Sequence, residues 1–139
     1  MIATAYAFGA GNNPADGTAF AFIGPTTTIA ITATNQALWV SAQKALGTTN
    51  NGGASNLRLS VCQRVNGSGA TPAVASSGDD ITGLAVSKND RVPFSLAAVF
   101  TGLAAATYEV GMCGYTVTGN ATNWNSNGAG RITAFVAQK

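Results

Sequence analysis

Along most of the chain, apolar and polar residues alternate with a period of two, as expected of strands with one buried face. In residues 18–23, Phe20 and Phe22 share a face, and in 28–34, Ile29 and Ile31 oppose threonines. Residues 37–46 set Leu38, Val40 and Ala42 against Trp39, Ser41 and Gln43. Residues 56–65 set Leu57, Leu59 and Val61 against Arg58, Ser60 and Cys62. A weak segment at 72–75 and a Gly-interrupted strand at 81–86 follow. Strands at 92–100, 107–117 and 131–137 complete the set. Pro93 belongs near a strand start or on a sheet edge, because it donates no ladder hydrogen bond. Clusters of Gly, Asn, Pro and Ser punctuate the runs at 24–25, 35–36, 47–55, 66–69, 76–80, 87–90 and 120–130. Helical periodicity is nearly absent. About eight short strands with regular turns predict an all-β sandwich, jelly roll or barrel, in one domain spanning 1–139.

Parity also predicts what lies outside. Trp39 is opposite in parity to Leu38 and Val40, so a large aromatic is expected on an outer face, at a covered surface or an interface. Tyr108, with Val110 and Met112, gives its strand a similar apolar excess. Together these predict a homo-oligomer.

Composition narrows the partners. Hydrophobic residues make up 46% of the 139 and charged residues only 9%. The second figure is far below the roughly 25% of ordinary soluble domains, so charge-driven disorder is excluded and the surface must be Thr, Ser, Asn, Gln and Gly. Net charge is +2, from seven basic residues scattered singly: Lys44, Arg58, Arg64, Lys88, Arg91, Arg131 and Lys139. Nucleic acid and anionic membranes need clustered cations, so neither is an expected partner. No apolar run reaches the roughly 20 residues of a membrane-spanning helix. Residues 1–10 lack the basic and continuous apolar regions of a signal peptide, which leaves the export route open.

The chain has no histidine, which excludes Ser-His-Asp and Cys-His nucleophilic sites. The acids are Asp16, Asp79, Asp80, Asp90 and Glu109. Adjacent Asp79 and Asp80 point to opposite faces if they lie in a strand, and pairing Glu109 with Asp90 has no support, so a two-carboxylate site is not expected. Asn12, Asn13 and Asp16, or Asp79 with Asp80, offer oxygens to calcium, but neither segment has EF-hand spacing and Asn/Asp turn chemistry explains both. No enzyme activity, cofactor or metal is expected. Cys62 and Cys113 each oppose the parity of their strand's bulky aliphatics, which is compatible with a disulfide between strands distant in sequence. Such a bridge would be worth about 3–4 kcal/mol. The other reading is two buried thiols.

Recognition has two candidate sets. Trp124 lies in a polar loop between Asn123 and Asn125, where its ring would cover sugar C–H groups while amides take hydroxyls. Alternatively, Trp124 folds back to cap the sandwich. Arg91, before a strand mouth, would offer a planar fork to two hydroxyls, or it is a solvated charge paired with Asp90 or Glu109. The sequons at Asn66 and Asn120 matter only in a eukaryotic secretory host.

Arg91-Val92-Pro93-Phe94-Ser95-Leu96, Thr107-Tyr108-Glu109-Val110-Gly111 and Ile132-Thr133-Ala134-Phe135 resemble tumour necrosis factor-like jelly rolls of bacteria. The likeness runs from about residue 18 to 137 and extends to a fucose-binding lectin domain of that class. It implies a jelly-roll sandwich, a homotrimer, and glycan sites at subunit clefts, with fucosylated sugars among the candidate ligands and Arg91 contacting sugar. The lectins' sugar-contacting tyrosines have no clear match here. Two functions are therefore expected: a trimeric carbohydrate-binding lectin, extracellular or at the cell surface, or a structural or adhesive module such as a fibre tip, appendage or capsid-type subunit.

Overall fold

The structure, a computed structural model, describes residues 1–76 and 78–139. Ser77, in the connection expected at 76–80, lies outside the described residues. The strands are β1 (Ala3–Gly9), β2 (Ala21–Ile31), β3 (Gln36–Gly47), β4 (Ala54–Val65), β5 (Ala73–Val74), β6 (Ile81–Val86), β7 (Arg91–Thr101), β8 (Ala106–Thr116) and β9 (Gly130–Gln138). Sheet A has the order β1-β9-β3-β7. Sheet B has the order β2-β8-β4-β5, and β6 also pairs with β4. All strand pairings are antiparallel. The chain crosses between sheets at nearly every connection, so neighbours within a sheet are distant in sequence. This is a jelly-roll sandwich, as expected.

The alternation read from the sequence builds the core. Leu38, Val40, Ala42 and Leu46 of β3 and Ile132, Ala134 and Val136 of β9 face Leu57, Leu59 and Val61 of β4 and Val110 and Met112 of β8. Each large aliphatic fully buried there contributes roughly 1.5–3 kcal/mol. Pro93 lies on edge strand β7, where no third strand needs its missing N–H. Among the glycines of sheet B, Gly114 has the least room for a side chain. A Cβ there would stand 2.4 Å from the carbonyl oxygen of Arg58. Only glycine lets β8 lie that near β4.

Three expectations change. Residues 3–9 form a strand that the alternation reading passed over, because its polarity is inverted. Ala3, Ala5 and Ala7 pack on the core while Thr4, Tyr6 and Phe8 point outward. Next, Gly24-Pro25 does not separate two strands. The chain continues as β2, with a register shift between Phe22 and Thr26 that accommodates the proline as a bulge. Finally, Tyr108, Val110 and Met112 are core residues at 5%, 0% and 1% exposure, so they add no outer apolar surface. The phenol of Tyr108 donates to the carbonyl of Ala104 at 3.0 Å, which satisfies its one buried polar atom.

Cys62 and Cys113 form a disulfide. In the β4–β8 register Cys113 faces Ser60 and Cys62 faces Gly111, so the bridge runs diagonally across two neighbouring strands with 5.7 Å between Cα atoms. That span is ordinary for a disulfide. The bridge lies on the outer face of sheet B, beneath Phe20, Phe22 and Val74.

Candidate functional site

The residues singled out for recognition gather at one end of the sandwich, where the 47–55 and 117–130 loops meet. Their side chains engage one another. Trp124 is 1% exposed and packs in the main core, and its indole N–H donates to the carbonyl of Ser55 at 3.1 Å. The expectation of a surface ring covering a sugar is thereby corrected, and the fold-back alternative describes the structure. The cause is simple packing: the open end of a sandwich exposes core edges, and a large indole with one satisfied N–H closes it.

The neighbouring amides hold that plug in place. The Asn125 side-chain oxygen accepts from the Thr49 N–H at 2.8 Å, and that of Asn123 accepts from the Asn50 amide at 2.6 Å. The Asn127 amide donates to the Trp124 carbonyl at 2.7 Å and to the side-chain oxygen of Asn13 at 3.0 Å. Arg91 turns its fork onto this loop, with Nε donating to the Ser126 carbonyl at 2.8 Å and Nη2 to its hydroxyl at 2.9 Å. The pairing of Arg91 with Glu109 is also corrected. Glu109 accepts from Arg64 at 2.7 Å, because β4 and β8 are neighbours and place those two residues opposite each other.

Asp16 anchors the far side of the same loop. Its carboxylate accepts from the N–H groups of Gly119 (3.0 Å) and Ala121 (2.9 Å) and from the Thr116 hydroxyl (2.8 Å). These bonds favour the charged form and hold the carboxyl below its ordinary value of 3.8, with the Gly119 bond the largest cause. A depressed folded pKa means a contribution fully present above the ordinary value and lost as pH falls through the lowered one. Asp16→Asn is therefore expected to unfold with a shallower pH dependence than the parent between about pH 5 and pH 2. Acid titrations followed by circular dichroism check this, and identical profiles would refute it.

One buried cation was missed. Lys44 is 1% exposed on the inward parity of β3, between Ala42 and Leu46. Its ammonium donates to the carbonyls of Asn12 (2.8 Å) and Ile23 (2.7 Å) and to that of Ala10. Three donors meet three acceptors, and among the described residues no carboxylate lies within ion-pair distance. Burial lowers its pKa from 10.5. The ammonium thus ties the β1–β2 connection to the centre of sheet A. The missed signal was parity, since Lys44 continues the series Leu38, Val40, Ala42.

Among the described residues, two surfaces stand apart from this clasp. On the outer face of sheet A, the registers align Thr4–Phe135–Trp39–Val99, Tyr6–Thr133–Ser41–Ala97 and Phe8–Arg131–Gln43–Ser95. Tyr6 and Phe8 are each 63% exposed and Trp39 44%, and Trp39 stacks on Phe135 with ring centroids 5.8 Å apart. Arg131 is the one charge in these three rows. The aromatic outer face expected from Trp39 is present, and it is larger than one strand could reveal. The second surface is a cleft on the outer side of sheet B, formed where Arg58 of β4, Tyr115 of β8 and Thr82 of β6 meet residues 17–18. No protein-family model matches the chain, and no curated protein matches it in sequence.

Proposed function

We propose that this protein is a structural or adhesive subunit that works by self-association, with the outer face of sheet A as the surface buried between copies. The observation that carries this reading is the three-row face of sheet A, where Tyr6, Phe8, Trp39 and Phe135 stand with Arg131 as the one charge in the rows and Asp79 beside them. Contiguous exposed aromatic surface of this kind marks an interaction site, whereas the other exposed apolar side chains, such as Val65, Ile81 and Val117, stand outside these rows. The face is built from the backbone-paired strands β1, β9, β3 and β7, so it is preformed and little ordering cost accompanies association. Trimeric assembly follows from the resemblance to tumour necrosis factor-like jelly rolls. An extracellular or cell-surface setting suits the low charge and the disulfide. The reading includes no catalytic step.

The lectin alternative loses its first candidate residues, since Trp124, Asn123, Asn125 and Arg91 serve the loop clasp. It is carried to the cleft on the outer side of sheet B.

Light scattering coupled to size exclusion is expected to return about three times the chain mass of 13.9 kDa. Trp39→Arg places a charge at the centre of the aromatic face. It should yield monomer with an unchanged far-ultraviolet spectrum, since the residue is partly exposed and outside the core. Truncating a buried aromatic at an interface centre typically weakens association by about 2 kcal/mol or more, and the buried charge adds to that. A parent protein that runs as a clean monomer at micromolar concentration would refute the proposal.

A further inference from the structure

We propose that the cleft on the outer side of sheet B is a binding site for a neutral, hydroxylated ligand the size of one sugar ring. The cleft measures about 280 Å³, and its lining includes Thr18, Asn56, Arg58, Thr82, Tyr115 and Thr118. It lies away from the sheet A face and does not depend on assembly through it.

Three features set the ligand class. The first is an aromatic wall. The ring of Tyr115 is held edge-on by Phe20, at 5.2 Å between centroids, and by Arg58, whose guanidinium lies 5.4 Å from the ring centre and donates to the phenol oxygen. A ring fixed from two sides is ready to receive apolar C–H surface without further ordering. The second is a rim of neutral polar groups: the hydroxyls of Thr18, Thr82 and Thr118 and the amide of Asn56, all on exposed residues. These donate and accept alike, as hydroxyls require. The third is charge balance. Asp80 approaches Arg58 Nε at 2.8 Å, so the only cation of the lining is already compensated and an anion gains little.

The backbone keeps the space clear. Gly83 has a φ of +69°, and a Cβ there would meet nothing within 4 Å. Asn56 holds a left-handed φ of +56°. Backbone conformations of this kind recur where strands bend to admit a ligand, and β6 departs from regular pairing with β4 at this place.

The test is a titration of the isotopically labelled full chain, followed by amide NMR. The probes are L-fucose, D-galactose, D-mannose, D-glucose and N-acetylglucosamine, with D-glucuronate as the anionic comparison. At least one neutral sugar is expected to give saturable millimolar shifts at Gly17, Thr18, Gly83, Tyr115 and Thr118, with glucuronate binding more weakly. Tyr115→Ala should weaken the response about tenfold or more. Because that change also unpacks Phe20, Thr82→Phe, an exposed position that fills the cleft, should abolish the same shifts with the fold intact. The site is refuted if every neutral sugar fails to saturate, if shifts fall elsewhere, if glucuronate binds best, or if Thr82→Phe leaves binding unchanged. Association through Trp39 would survive any of these outcomes, so the two proposals fail separately.

Discussion

Removing the Cys62–Cys113 bridge, as Cys62→Ala with Cys113→Ala or by reduction, is expected to lower the unfolding free energy by about 4 kcal/mol. The cysteines are 51 residues apart, and closing a loop of that length restricts the unfolded chain strongly. The folded state resists little, because β4 and β8 are already neighbours and the sulfurs sit in a small cluster with Phe20, Phe22 and Val74. A domain of this size has only about 5–15 kcal/mol of stability in all, so the bridge is a large share. Guanidinium unfolding with and without reductant, monitored by the buried Trp124, measures it. A difference below about 1 kcal/mol would contradict the entropic account, and two free thiols by mass spectrometry would contradict the bridge itself.

Lys44→Met is expected to cost about 3 kcal/mol, although it replaces a buried charge with an apolar side chain of similar length. Charge removal relieves a desolvation penalty, which favours the variant. Against this, the carbonyls of Ala10, Asn12 and Ile23 lose their shared donor, and each buried acceptor left without one costs about 1–3 kcal/mol. The Ile23 carbonyl is the most deeply placed and has the least access to replacement water. The loss should be local as well as global. β1 contacts the rest of sheet A on one side only, through β9, so hydrogen exchange at residues 3–12 should accelerate before the core opens. Equal stability and equal protection of β1 would show that the three carbonyls find other donors. The pH dependence has a definite sign. Burial lowers the folded pKa of Lys44, so the unfolded chain holds more protons between that lowered value and 10.5. Stability should rise with pH across that window in the parent protein and not in Lys44→Met.

The strand pattern was legible because each inward residue carries its own signal. Leu57, Leu59 and Val61 alternate with polar neighbours whatever their partners are, and their burial follows. β1 was illegible for the complementary reason, since small residues face in and aromatics face out. Trp39 was read correctly as an outward aromatic from a single strand. Tyr108 was misread because a phenol with a nearby backbone acceptor is as comfortable inside as out. Trp124 illustrates the limit more sharply. A tryptophan among asparagines has the same local sequence whether its ring faces a ligand or the core, and only the position of Ser55 and the open sandwich end decides.

Local alternation, turn residues and the lack of histidine thus settle the all-β class and remove imidazole-dependent chemistry, because those features act over a few residues. Which strands lie side by side came from three-dimensional arrangement, although strand parity had already left the Cys62–Cys113 bridge as one of two readings. That arrangement includes the pairing of β4 with β8, which joins Cys62 to Cys113, Arg64 to Glu109 and Arg58 to Tyr115. It also includes the carbonyl cage of Lys44 and the four-strand aromatic face. In a jelly roll, neighbours in space are dozens of residues apart along the chain, and no short-range pattern records which strands will lie side by side.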